Sequence, residues 1–118
     1  MKEIKAIVRP NRLQALRSAL SALPGFPGMS VSRVDGCSAP RRVGPSHSIR
    51  DELVEYSPKL RIEIVAPEEL VPAIVECIVA GSRTGAVGDG LVWVSGVDMA
   101  QMIHADDAAG GRDDPSNG

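Results

Sequence analysis

Residues Lys59 to Val65 alternate without a break, with Leu60, Ile62 and Ile64 set against Arg61, Glu63 and Val65. A period of two is the repeat of a half-buried strand, because successive side chains point to opposite faces. The chain opens on the same period, with Ile4, Ala6 and Val8 on one face of Lys2 to Val8 and Glu3, Lys5 and Ile7 on the other. Each run gives way to a helical one: Leu13, Leu16, Leu20 and Leu23 after the first, and Leu70, Ile74, Cys77 and Ile78 after the second. Spacings of three and four make each an amphipathic helix with one buried stripe. Two further strand-like runs complete the pattern. Met29 to Asp35 sets Met29 and Val31 against Ser30, Ser32 and Val34, and Leu91-Val92-Trp93-Val94 follows the second helix.

The order β-α-β-β-α-β predicts an α+β fold of the ferredoxin-like, split βαβ kind. This is a four-stranded antiparallel sheet with both helices on one face. The other face then carries Ile7, Ser30, Val34, Glu63 and Val65 uncovered, and a half-apolar face of that kind calls for a partner. Pro10 suits the first turn of the first helix, and Ala66-Pro67-Glu68-Glu69 places proline and two carboxylates where the second should begin. Pro72 must either set the true helix start or kink the first turn.

From Gly36 to Ser57 the period is lost, and a connection of that length in a small domain is either functional or disordered. Residues 1–104 read as one domain with 37–57 as a flexible loop, and the polar, acidic stretch 105–118 as a disordered tail. A net charge of −2 and a single Trp, Tyr and Phe leave no basic face for a duplex and few stacking platforms for single strands. There is no apolar run near the roughly 18–20 residues that span a bilayer, and no signal-peptide core, which points to a cytoplasmic protein. The two cysteines are too few for a disulfide framework; Cys77 lies among core residues, and Cys37 lies in the turn-rich stretch.

Between the second helix and the last strand lies Gly81-Ser82-Arg83-Thr84-Gly85-Ala86-Val87-Gly88-Asp89-Gly90. Such a loop either brings bare N–H groups to a phosphate or simply stops a helix and turns into a strand.

Together with Lys2-Glu3-Ile4-Lys5-Ala6-Ile7-Val8-Arg9-Pro10, Gly28-Met29-Ser30-Val31 and Pro58-Lys59-Leu60-Arg61-Ile62-Glu63-Ile64-Val65, the Thr84-Gly-x-x-Gly-Asp-Gly90 core resembles the PII signal-transduction family over residues 1–104. The resemblance implies a homotrimer that binds adenine nucleotide in clefts between subunits. It also implies that the long loop, the T-loop, grips a membrane transporter or an enzyme. Carried over residue by residue, the nucleotide would be held by Ile7, Gly28, Met29, Ser30, Gly36, Cys37, Ser38, Ala39, Glu63, Val65, Thr84, Gly88, Asp89 and Gly90.

The departures matter as much. Pro40 stands where 2-oxoglutarate sensors have a glutamine, Ala86, Leu91, Met102 and His104 stand where basic residues would meet phosphate, and Glu52 replaces the tyrosine some members modify. ADP or AMP is therefore expected to bind at least as well as ATP, and 2-oxoglutarate not to bind, with Arg41, Arg42 and Lys59 enclosing a small anion such as bicarbonate. One similar branch is associated with carboxysomes and inorganic-carbon transport, another with heavy-metal efflux; a ligand-free adaptor trimer is a further alternative. His47, His104 and Cys37 lack ligand spacing, so no metal is assigned. Asp89 with His104 is the single acid/base pairing to be found, and Asp89 reads better as a turn residue, so no catalytic residue or cofactor is expected.

Overall fold

The computed structural model describes residues 1–37 and 56–104. Strands β1 (Lys2–Val8), β2 (Ser30–Gly36), β3 (Ser57–Ala66) and β4 (Gly90–Gly96) and helices α1 (Leu13–Ser21) and α2 (Val71–Ser82) follow one another as β1-α1-β2-β3-α2-β4. The sheet runs β2-β3-β1-β4 with every neighbouring pair antiparallel. β1 and β2 both oppose β3 and so run parallel to each other with β3 between them. This is the ferredoxin-like α+β arrangement that the order of periods predicts.

The alternation sets the core directly. Ile4, Ala6 and Val8 of β1 and Leu60, Ile62, Ile64 and Ala66 of β3 are buried against Leu16 and Leu20 of α1 and Ile74 and Ile78 of α2. Cys77 packs at the margin of this cluster, where burial pushes its thiol up, in keeping with a small core hydrophobe. Met29 lies just before β2 rather than within it and packs against the core. Val31, on the same face, stays 41% exposed, so the edge strand is only partly covered.

The helix starts correct the sequence reading. Glu68–Leu70 is a 3₁₀ turn closed by the Leu70 N–H on the Pro67 carbonyl at 3.0 Å, and α2 begins at Val71 with no carboxylate in its first turn. Pro72 falls in that first turn, where the N–H it lacks has no intrahelical acceptor, so it sets the start without a kink. Pro10 acts alike: Pro10–Arg12 is a 3₁₀ turn, and α1 begins at Leu13.

Residues opposite each other in antiparallel strands share a face, so the register defines the uncovered one. One row across it is Ser30, Glu63, Lys5 and Trp93, the next is Ser32, Arg61, Ile7 and Leu91, and Val34 lies opposite Lys59. Ile7, Ser30, Val34, Glu63 and Val65 do share this face. Glu3 with Lys5 and Arg61 with Glu63 form ion pairs on it, both at 3.4 Å, while Val65, Leu91 and Trp93 remain exposed.

Candidate functional site

Val8 is paired with Leu60 on one side and with Gly90 on the other. The residues one step further along the three strands, Lys59, Arg9 and Asp89, therefore come abreast at one end of the sheet. Their side chains meet there. Arg9 Nε donates to Asp89 Oδ1 at 3.4 Å and Arg9 Nη2 to the Val87 carbonyl at 3.1 Å, while Lys59 Nζ donates to the Gly88 carbonyl at 2.8 Å.

The loop is closed on itself by Asp89. Its Oδ2 accepts the N–H groups of Thr84 at 2.7 Å and Gly85 at 2.9 Å, and its Oδ1 accepts the Thr84 hydroxyl. Ala86 N–H donates to Thr84 Oγ1 at 3.3 Å, and Asp89 N–H to the Ala86 carbonyl at 3.3 Å. The Thr84 hydroxyl and then the Thr84 N–H, with Gly85 N–H and Arg9 adding, hold the Asp89 carboxyl far below the usual carboxylate range. A carboxylate so stabilised is a poor proton acceptor near neutrality, which agrees with a turn-forming role rather than acid/base catalysis. Arg9 and Lys59 thus set two cations against the one carboxylate of Asp89, and Arg83 adds a third cation at the edge of the adjoining cleft.

On the helix side of the loop lies a cleft of about 200 Å³, walled by Ile78, Val79 and Ser82 of α2 and by Val8, Gly90 and Val92 of the sheet. Its walls are mainly apolar, with Arg83 and Asp89 at the edge, and the buried Ser82 hydroxyl has no hydrogen-bond partner among the described residues.

The residues predicted to hold nucleotide fall into two groups. Thr84, Gly88, Asp89 and Gly90 gather at the Arg9 end beside Lys59, which the sequence assigns to the anion, with Ile7 one row inward and Gly36 and the exposed Cys37 close by; a methyl on Gly36 would stand 3.0 Å from Lys59 Cγ. Glu63, Val65 and Ser30 belong to the opposite end, and Gly28 and Met29 precede Ser30 there. Lys59 and Val65 are separated along β3 by a span of about 20 Å at the usual rise per strand residue. One chain does not bring the two groups together. Ser38, Ala39, Arg41 and Arg42, with most of the 37–57 loop, lie outside the described residues, as does the 105–118 tail.

Arg9 is the site residue that sequence reasoning missed. It lies 80 positions from Asp89 in the chain, and only the row-by-row register of β3, β1 and β4 sets the two abreast.

Comparison with known proteins gives the same outline. The family model described as nitrogen regulatory protein P-II matches residues 1–107. Nitrogen regulatory protein P-II 2 of Methanothermobacter thermautotrophicus is 42% identical over 103 residues, 87% of this chain and 89% of that protein. The P-II protein of Cereibacter sphaeroides is 39% identical over 105 residues, covering 87% of this chain and 91% of its own length. P-II 1 of Escherichia coli K12 is 37% identical over 116 residues, covering 92% and 99% respectively. With a family match over nearly its full length and relatives of this identity and coverage, the chain belongs to the nitrogen regulatory protein P-II family, whose members are named as regulatory proteins and not as enzymes.

Proposed function

We propose that this protein is a cytoplasmic, homotrimeric regulator that binds ADP or AMP between neighbouring subunits. In this reading a small anion such as bicarbonate orders the 37–57 loop, and the loop regulates a transporter or enzyme of inorganic-carbon metabolism. The division of the candidate residues between two ends of one sheet carries the reading. Thr84, Gly88, Asp89 and Gly90 lie at one end and Gly28, Met29, Ser30 and Val65 at the other, so a single cleft can use both groups only if a second copy supplies one of them. An open sheet face with Val65, Leu91 and Trp93 exposed supports such an assembly, and a ring of three satisfies each copy in the same way.

The side chains at the loop exit support the choice of ligand. Leu91, 65% exposed at the loop exit, offers no charge to an outer phosphate, which favours a mono- or diphosphate over a triphosphate. Among the described residues, Lys59 spends one of its three N–H donors on the Gly88 carbonyl, which leaves two that an anion could engage.

Calorimetry with ADP, AMP and ATP, each with and without bicarbonate, tests the ligands, and light scattering tests the trimer. ADP or AMP binding at least as tightly as ATP, tightened further by bicarbonate, is the expected result. The relatives' names favour a nitrogen-status signal, and 2-oxoglutarate binding that requires Mg-ATP would establish that reading instead. Nucleotide affinity indifferent to bicarbonate would leave the metal-efflux branch or a nucleotide-only sensor as the better account, and a monomer in solution would refute the shared cleft.

A further inference from the structure

We infer that the cleft between the last turn of α2 and the edge strand β4 is a ligand site of its own, which takes a small uncharged group, a ring or branched alkyl of about six to eight heavy atoms carrying one hydroxyl or carbonyl oxygen. This goes beyond the nucleotide reading and does not depend on it. The cleft follows from the way α2 packs. Gly81 has no side chain, and a methyl there would lie 2.6 Å from Leu16 Cδ2 and 3.5 Å from Leu16 Cγ, so the end of α2 sits tight against α1. Two helices on four strands then leave the β4 side of α2 open. Val92, which shares the core face through its pairing with Ala6, is only partly buried there and lines with Val79 a gap of about 200 Å³.

An apolar cavity of about 150 Å³ stays dry and takes up benzene, which sets the scale for this one. Val8 and Ile78, 1% and 2% exposed, supply the most deeply buried part of its wall. Ser82 supplies the polar handle. The residue is 7% exposed and its Oγ has no hydrogen-bond partner among the described residues, although a serine in a helix can bond back to the carbonyl of the preceding turn. A buried hydroxyl left unpaired is costly, and a ligand oxygen that meets it recovers that cost. One water is a poor substitute, since it needs about three polar partners and Val8, Ile78, Val79 and Val92 offer none from their side chains. Arg83 and Asp89 stand at the edge with one charge of each sign, so the mouth favours neither an anion nor a cation, and the apolar walls would strip a charged group of its hydration. An occupant would touch Gly90 as well as α2, joining the exit of the glycine-rich loop to the helix before it.

Methyl and amide NMR titrations of the full chain with phenol, benzene and benzoate test the site, together with Ser82→Ala and Val92→Phe variants checked by light scattering for unchanged oligomeric state. None of these readouts involves ADP, so the nucleotide reading stands or falls apart from them. Phenol and benzene should give saturable shifts confined to the methyls of Val8, Ile78, Val79 and Val92 and the amide of Gly90, and benzoate none. Phenol should bind about 5-fold more tightly than benzene through its one hydrogen bond. Ser82→Ala should bring phenol down to the affinity of benzene and leave benzene unchanged. It should also keep or raise Tm, since the hydroxyl it removes has no partner among the described residues. Val92→Phe should fill the cleft and abolish both titrations. Shifts scattered over the surface, or uptake that survives Val92→Phe, would overturn the site, and a phenol affinity indifferent to Ser82→Ala would overturn the ligand chemistry. No uptake by the full chain, with nuclear Overhauser contacts from Val92 to a neighbouring copy, would show that assembly fills the cleft and would overturn the proposal as well.

Discussion

Replacing Gly90 by alanine should damage the protein far more than replacing Gly85, although both glycines have positive φ in the same loop region, +120 and +87. A methyl on Gly85 meets no atom within 4 Å, so that variant isolates the cost of the backbone conformation, about 1–2 kcal/mol for a non-glycine residue in the left-handed region. A methyl on Gly90 would lie 1.9 Å from the Ile7 carbonyl oxygen, 3.0 Å from the Ile7 carbonyl carbon and 3.4 Å from Val8 Cα. Close carbon–oxygen contacts settle at about 3.3 Å, so the oxygen must retreat by more than an ångström. It belongs to the central strand, and no side-chain rotation can relieve the clash.

β4 must therefore part from β1 at the Val8–Gly90 row. That gives up one or two ladder hydrogen bonds at about 1 kcal/mol each, in addition to the same conformational cost. The sum is about 3 kcal/mol or more, a large part of the roughly 5–15 kcal/mol that holds a domain folded. At about 4 °C per kcal/mol for a chain of this size, Gly85→Ala should lower Tm by about 5 °C and Gly90→Ala by about 12 °C or more. Circular-dichroism melts at one fixed protein concentration check this, because the midpoint of an oligomer moves with concentration. Equal shifts, or a larger one for Gly85→Ala, would refute the steric argument.

Thr84→Val removes the hydroxyl that most strongly supports the Asp89 carboxylate and should raise its pKa. Because the folded value lies below the unfolded one, the support is present above the unfolded pKa and lost as pH falls through the folded one; the variant should therefore lose the loop at a higher pH on acidification, as followed by the Asp89 carboxyl carbon resonance. Ile62→Ala empties a fully buried central position and should cost about 2–5 kcal/mol, whereas Val31→Ala on the partly exposed edge should cost under about 1 kcal/mol; denaturant midpoints would distinguish them. Cys37, exposed, should react with a thiol reagent well before Cys77, whose burial both shields the thiol and raises its pKa, and mass spectrometry after partial labelling reads the order.

What the sequence showed of the fold was what repeats locally. Leu60, Ile62 and Ile64 declare their face through spacing alone, and so do Leu16 and Leu20, because burial on one side imposes the period. The starts of the helices were not legible, since Pro67-Glu68-Glu69 suits a 3₁₀ turn as well as the first turn of an α-helix, and hydrogen bonding to Pro67 decides between them. β3 and β4 likewise run beyond their periodic cores at both ends: β4 reaches from Gly90 to Gly96 around an apolar run of only Leu91 to Val94. Pairing with β1 extends it, and no side-chain pattern records that.

The site divides along the same line. Asp89 reaches Thr84 and Gly85 within five residues, so the glycine spacing and the aspartate together announce a closed turn. Arg9 reaches the turn from the far end of the chain, and nothing about Arg9 itself marks it. Its position follows from a chain of pairings: Lys2 opposite Ala66 and Gly96 fixes Val8 opposite Leu60 and Gly90, and the next step outward can only bring Arg9 between Lys59 and Asp89. A slip of one residue in either pairing would turn the apolar residues of β1 out of the core, so the core that buries Ile4, Ala6 and Val8 also holds the two cations at Gly88. The charge at the loop is in this sense a consequence of hydrophobic packing several residues away. A core substitution that lets β1 shift along β3 should therefore part Arg9 from Asp89 before it unfolds the domain.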